Sequence, residues 1–411
     1  MSATRVATGR MFAALHERNF RLYFIGQLIS QSGTWMQSVA QGWLVLQITN
    51  SSFDLGVVVA LQFLPMLLLG SFGGLYADRN DKRRILYATQ ISAGLLALAL
   101  GLLVSTHHAT IEAVYVLALL LGVVNLFDNP ARQAFVQEMV GRELIPNAVS
   151  LNSVLMNGGR LIGPALAAGL IAGVGIATCF YVNAGSYVAV LVALFLMRAS
   201  ELRPIDTVHR AKGQLRLGLR YAYGTPVIRD VIAVVAVVGT FAYNFTVTLP
   251  ELTRTTFHQS SATAYGILVA AMGLGAVVGG LYVAWRSRPT VHFLAVIGTS
   301  FGVAATVVAL SPTLLVAQVA AIPMGACSIM FIATANATLQ MNSAEAMRGR
   351  VMSLYAIAFL GTTPIGAPLV GAIVSATNPR VGIAVGSLLT MATCVWLWVT
   401  FRRRLGDVVT S

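Results

Sequence analysis

Twelve stretches of mainly apolar residues follow one another along the chain, each about the twenty residues that a helix needs to cross the hydrocarbon of a bilayer. They lie near 22–46, 52–77, 85–104, 111–137, 148–174 and 177–196, then 230–249, 264–285, 291–310, 314–341, 351–376 and 381–401. A membrane-crossing segment must satisfy its own backbone hydrogen bonds, so runs of this length without alternating polarity read as helices rather than barrel strands. Only 10% of the 411 residues are charged and 57% are hydrophobic. An ordinary soluble domain carries roughly 25% charged residues. These proportions exclude a soluble enzyme, a disordered chain and a secreted disulfide scaffold. The expected fold is an all-α polytopic membrane protein with twelve transmembrane helices in two pseudo-symmetric six-helix halves.

The one long polar interval separates the sixth run from the seventh and holds nine charged residues between Arg198 and Arg229. The expected organisation is an N-terminal six-helix half over 1–197, a linker over 198–229 and a C-terminal half with its tail over 230–411. The tetrapeptide Gly73-Gly74-Leu75-Tyr76 at the end of the second run recurs as Gly279-Gly280-Leu281-Tyr282 at the end of the eighth. This echo is short, but it is what an internal repeat would leave behind.

An even number of spans puts both termini on one side. Arg254 and Arg380 lie in loops on the opposite side, and Arg132 and Arg160 lie within spans; every other Lys and Arg falls on the terminus side. Lysine and arginine concentrate in cytoplasmic loops, so both termini are expected to be cytoplasmic. The net charge of +13 is then a topological signal toward the anionic inner leaflet, not a nucleic-acid footprint. No cleavable signal peptide is expected, because the apolar stretch 11–15 is too short, and the first long run is read as a retained span. Cys179, Cys327 and Cys394 sit in apolar runs without CxxC spacing and read as buried small hydrophobes.

Polar residues inside the spans are the candidates for function, since charge at membrane depth is costly and faces a cavity or a partner. Asp128 and Arg132 are four residues apart and share a helical face, and Arg160 lies in the following span. Asp128 reads either as a proton acceptor that switches with access or as half of a fixed ion pair. Asn157 precedes Arg160 in the same span. In the first span Gln27, Gln31, Thr34, Ser38 and Gln41 are spaced 4, 3, 4 and 3 apart, one continuous stripe flanked by Trp35 and Gln37. The seventh span adds Tyr243 and Asn244, and the tenth adds Asn336. Glu251, after Pro250, reads as a residue of the external mouth or as a solvated loop acid. Proton coupling therefore rests on Asp128 or Glu251. Glycine pairs four apart (Gly70/Gly74, Gly159/Gly163, Gly169/Gly173, Gly275/Gly279) predict close helix packing.

The segment Gly74-Leu75-Tyr76-Ala77-Asp78-Arg79-Asn80-Asp81-Lys82-Arg83-Arg84 resembles the signature loop of the major facilitator superfamily. Tyr76 and Asp81 depart from its usual Leu and Gly. Asn19-Phe20-Arg21-Leu22, Asp128-Asn129-Pro130-Ala131-Arg132-Gln133-Ala134, Gly163-Pro164 and Arg348-Gly349-Arg350-Val351-Met352-Ser353-Leu354-Tyr355 are similar to segments of its drug and siderophore efflux branch. The resemblance implies a secondary active transporter in the bacterial inner membrane that works by alternating access. It would export a small amphiphilic molecule against a proton gradient, as a monomer in the lipid bilayer, without a cofactor. Import or facilitated passage of a small metabolite is the alternative. It also implies that the first, fourth, seventh and tenth spans line the cavity, and that Gly74, Asp78, Arg79 and Arg83, with Arg350 as partner, form a state-dependent latch.

Other chemistries are excluded or weak. There is no P-loop motif for nucleotide and no His-Glu-x-x-His. Gly298-Thr299-Ser300-Phe301-Gly302 matches a nucleophile elbow in letters, but lies inside an apolar span where no strand-to-helix turn can form. His107, His108 and Glu112 sit in an outer loop without further ligands, so no metal site is expected.

Overall fold

A computed structural model describes residues 12–203, 214–286 and 289–409. Among the described residues every regular element is helical. The chain falls into two compact units, one formed by Met1–Leu44 with Leu64–His209 and the other by Val45–Phe63 with Arg210–Ser411. The far ends of the first two helices thus belong to the unit built from the C-terminal half.

Unit 1 contains most of α1 (Arg18–Thr49) and α2 (Ser52–Arg79), and all of α3 (Lys82–Ser105), α4 (Ile111–Glu138), α5 (Ile145–Gly173) and α6 (Ile176–Leu196). Their starts follow local chemistry. The Asp81 carboxylate accepts from the Arg84 amide at 3.1 Å and caps α3, and Thr110 caps α4 by accepting from Ala113 N at 3.3 Å. Between α5 and α6 the chain turns through Gly175 at φ 98°, a conformation in which a Cβ would be strained. Phe20, Tyr23, Phe135 and Met139 fill the core at one end of the unit.

Glycine lets α5 approach α1 closely. A Cβ on Gly159 would come within 2.9 Å of the Gln31 side chain, and one on Gly163 would press on Ser32 O, Trp35 and Met36. Gly275 and Gly279 do the same for two helices of unit 2, facing the carbonyls of Ile322 and Ala326. The expectation fails at Gly169 and Gly173, which have open space where a Cβ would sit. Both positions are exposed.

Unit 2 contains α7 (Gln214–Gly224), α8 (Pro226–Phe241), α9 (Phe245–Glu251), α10 (Ala262–Arg286), α11 (Val291–Leu310), α12 (Leu314–Met341), α13 (Glu345–Phe359), α14 (Thr363–Ala376) and α15 (Pro379–Val409). The segment read as a polar interval therefore includes a helix, α7. The seventh span starts at Pro226, ahead of the expected boundary at Asp230, because proline is pre-organised for a first helical turn.

Two spans read as continuous are broken. The seventh is split into α8 and α9, and the eleventh into α13 and α14. At the first break Tyr243 N reaches back five residues to Val238 O at 3.2 Å, and the Asn244 amide donates to Thr240 O at 2.7 Å. At the second, Gly361 N reaches back to Ala356 O at 3.3 Å, and Pro364 has no N–H with which to continue the ladder. The two breaks touch each other. A Cβ on Gly239 would stand 2.8 Å from Phe359 O, and one on Gly366 would overlap the Thr240 carbonyl.

Counting each broken pair once, α1–α6 and α8–α15 supply twelve spans. Among the described residues, eleven helical segments are long and apolar enough to cross a membrane by length and composition. The twelfth, α1, has 32 residues and ample length, but Gln27, Gln31, Gln37, Gln41 and Gln47 dilute its hydropathy.

Candidate functional site

Among the described residues unit 1 buries two acids: Glu138, which ends α4 and pairs with Lys82 of α3 at 3.1 Å, and Asp128, deeper in α4. One carboxylate oxygen of Asp128 accepts from Thr89 Oγ1 and from Gln90 Nε2, both at 2.8 Å. The other lies 3.3 Å from Arg132 Nε. Arg132 also donates to Asn129 Oδ1 at 2.6 Å. The four-residue spacing puts acid and base on one face of α4, and α3 supplies the two neutral donors. Asp128 is 4% exposed, so its three partners replace the hydration that burial removes. Thr89 and Gln90 were not among the expected site residues. Their signal was two adjacent polar residues inside an otherwise apolar run.

Arg160 stands 4.7 Å over the Trp35 ring, which joins α5 to the polar stripe of α1. Asn157 turns onto its own helix, donating to Ser153 O at 2.9 Å. Along the stripe Gln27 and Gln31 are buried, and Gln27 Nε2 has no hydrogen-bond partner among the described residues. Gln37 accepts from Asn183 Nδ2 of α6 at 2.6 Å. Thr34 of the stripe also meets α6, its Oγ1 lying 3.5 Å from the Tyr187 hydroxyl, so the stripe and its flank are used partly for interhelical bonding.

In unit 2 the break of the seventh span sets Tyr243 at the centre of an aromatic cluster. Its ring lies 4.9 Å from Phe359, edge-on, 5.3 Å from Phe245 and 5.4 Å from Phe301. Tyr355 stacks on Phe359 at 6.1 Å. The Tyr243 hydroxyl donates to Ser328 O at 2.5 Å, which fixes the ring against α12. Asn244 is buried beside it, and on α12 Asn336 accepts from Gln340 Nε2 at 2.6 Å. Glu251 is not a solvated loop acid: it ends α9, is 8% exposed, and pairs with Arg254 at 3.2 Å. Pro250 suggested a loop, yet proline is tolerated in this short helix, which runs on into a π-helical turn over Leu252–Thr256. Arg254 in turn donates to Leu46 O at 3.4 Å.

The signature loop spans the end of α2 and the start of α3. Gly74 and Asp78 are half-buried and Arg79 is exposed. Arg83 reaches the last carbonyls of α6, donating to Leu194 O at 2.6 Å and Met197 O at 3.3 Å. A cation there satisfies groups that a helix end leaves open. In unit 2, Arg350 on α13 donates to Met347 Sδ and packs over Gly218 of α7.

One further cluster went unread in the sequence. Asp230, 2% exposed near the start of α8, pairs with Arg404 of α15 at 2.7 Å and with Arg229 at 3.0 Å. Unit 1 has a neutral counterpart at the same place. The Asn19 side chain near the start of α1 exchanges two hydrogen bonds with the Arg198 backbone, just beyond α6, at 2.9 and 3.0 Å. First and last spans of each half are thus clasped in corresponding positions.

The chain is similar to known proteins over nearly its whole length. The profile of the family described as transmembrane secretion effector matches residues 9–408. The multidrug efflux pump Tap of Mycolicibacterium fortuitum is 27% identical over 87% of the chain and 89% of its own length. The enterobactin exporter EntS of Citrobacter koseri is 27% identical over 90% and 91%. Among solved structures, an inward-facing bacterial homologue of the human lysosomal transporter Spinster superposes with a TM-score of 0.70 at 15% identity, covering 93% of this chain and 95% of that one.

Proposed function

The chain belongs to the transmembrane secretion effector family of major facilitator transporters, and from that premise we propose that it exports a small amphiphilic compound by proton-driven alternating access. Efflux is supported by relatives named as a multidrug pump and an enterobactin exporter. The placement is the inner membrane of a bacterium, with both termini cytoplasmic and the monomer as the working unit. The loop bearing Asp78 and Arg79 serves as its state-dependent latch.

The observation that carries proton coupling is the carboxylate of Asp128, buried in a membrane-spanning helix and paired with Arg132. On the cytoplasmic side the ionised Asp128 carboxylate accepts a cationic or hydrogen-bond-donating group of the cargo, and a proton taken up from outside discharges the carboxylate and releases the cargo outward. Loss of that proton to the cytoplasm restores the pair with Arg132, so proton and cargo travel in opposite directions. Thr89 and Gln90 hold the carboxylate in place through the cycle. The aromatic cluster around Tyr243 offers faces for a ring-bearing cargo.

The test is a panel of drugs and siderophores in everted vesicles, with and without an imposed pH gradient. Accumulation that depends on the gradient and is abolished by Asp128→Asn supports the reading. Accumulation indifferent to a protonophore refutes proton coupling.

A further inference from the structure

The C-terminal end of unit 2 carries a cationic–aromatic patch outside the candidate site described above. Arg286 closes α10, and its guanidinium stands 4.2 Å over the Phe293 ring of α11. Arg402, near the end of α15, stands 4.4 Å over Trp398. The two stacked pairs are joined, because Trp398 Nε1 and His292 Nδ1 are 3.0 Å apart and His292 precedes Phe293 in the chain. An indole N–H can only donate, so Nδ1 is the acceptor and the imidazole carries its hydrogen on Nε2. That leaves the Nε2–H of His292, an exposed residue, unused by this contact. Tyr282 extends the patch, 6.0 Å from Trp285 and 6.3 Å from Phe293. Trp285 is 80% exposed.

Three features point to one ligand chemistry. All these residues sit where apolar helices end, the depth at which headgroups lie and tryptophan and tyrosine concentrate. Neither Arg286 nor Arg402 has an acidic partner among the described residues. Each guanidinium is already held against an aromatic ring, so less side-chain freedom is lost when it takes a phosphate. Among membrane lipids, cardiolipin offers two phosphates on one headgroup, one for each guanidinium.

We propose that Arg286, His292 and Arg402, framed by Trp285, Phe293 and Trp398, form a headgroup site for cardiolipin on the rim of unit 2. Its acyl chains run down the apolar faces of α10 and α15, where Leu281 and Val395 are exposed. The site is independent of the cargo and of the direction of transport.

The purified full-length chain is titrated with cardiolipin, phosphatidylglycerol, phosphatidylcholine or inorganic phosphate, and bound lipid is counted by native mass spectrometry. Cardiolipin is expected to stay bound where the other three do not. Arg286→Gln/Arg402→Gln weakens it about thirtyfold, at the usual contribution of one basic residue near an anionic headgroup. Arg142→Gln/Arg348→Gln, which removes the same charge elsewhere, leaves affinity unchanged. Arg286→Lys/Arg402→Lys keeps the charges and guards against misfolding of the glutamine variant; it binds more weakly than the parent but more tightly than the glutamine form. Equal weakening by both glutamine variants would reduce the patch to general surface charge. Matched retention of phosphatidylglycerol or free phosphate would overturn cardiolipin as its occupant.

Discussion

Unit 1 keeps charge in the middle of its spans, on helices that run without interruption. Unit 2 has no charged residue in the middle of its spans, and two of them break there around an aromatic cluster. The charges of unit 2 that are buried, Asp230 and Glu251, stand near helix ends. Under the proposed function the shared architecture serves two tasks, moving charge in one unit and accommodating the shape of the cargo in the other. Continuous helices suit the first task, since a buried ion pair needs fixed geometry to offset its desolvation. Broken helices suit the second, since they free the backbone from its ladder beside the aromatic faces.

This division of labour can be broken experimentally. The largest effect is expected from Asp128→Ala, which leaves Arg132 buried without its acid and costs about 3–5 kcal/mol. The variant melts well below the parent, and its transport no longer responds to a pH gradient. A pH response that survives in a folded Asp128 variant would move coupling to unit 2, with Glu251 the next carboxylate to test. Gly366→Ala comes second. Its methyl overlaps the Thr240 carbonyl and forces the two breaks apart, at about 1–3 kcal/mol by the usual cost of overpacking. A melting temperature equal to the parent's would show that the breaks are not packed backbone to backbone. Tyr243→Phe removes the bond to Ser328 O and is expected to lower stability by about 1 kcal/mol. Its sharper readout is kinetic: KM for aromatic cargo rises severalfold while the pH response is unchanged. The smallest effect belongs to Thr89→Val, which takes one of three partners from Asp128 at about 0.6 kcal/mol, typical of interhelical bonds in membranes. It should shift the pH midpoint of transport and leave KM alone, the reverse of Tyr243→Phe.

What the sequence revealed of these units follows from what hydropathy measures. Run length and charge placement report on solvent, so the number of spans was legible. The i,i+4 placement of Asp128 and Arg132 was legible too, because helical period fixes a face. Period does not name the neighbouring helix, so Thr89 and Gln90 of α3 could not be assigned to Asp128. The breaks at Tyr243 and Gly361 were hidden, because apolar residues continue straight through them and hydropathy is blind to the hydrogen-bond ladder. Asp230 was passed over as the first residue of a span. Its burial depends on Arg404 arriving from the far end of the same half.

The glutamines of α1 bear on how the chain enters the membrane in the first place. Each amide carried into hydrocarbon without a partner opposes insertion by some kilocalories. The partner that α1 has for Gln37, Asn183 of α6, is synthesised well over a hundred residues later. As the ribosome delivers it, α1 therefore meets lipid with its amides unsatisfied. Only two residues, Asn50 and Ser51, separate it from the strongly apolar α2. The two helices are accordingly expected to leave the translocon as one hairpin, with α2 drawing α1 into the bilayer.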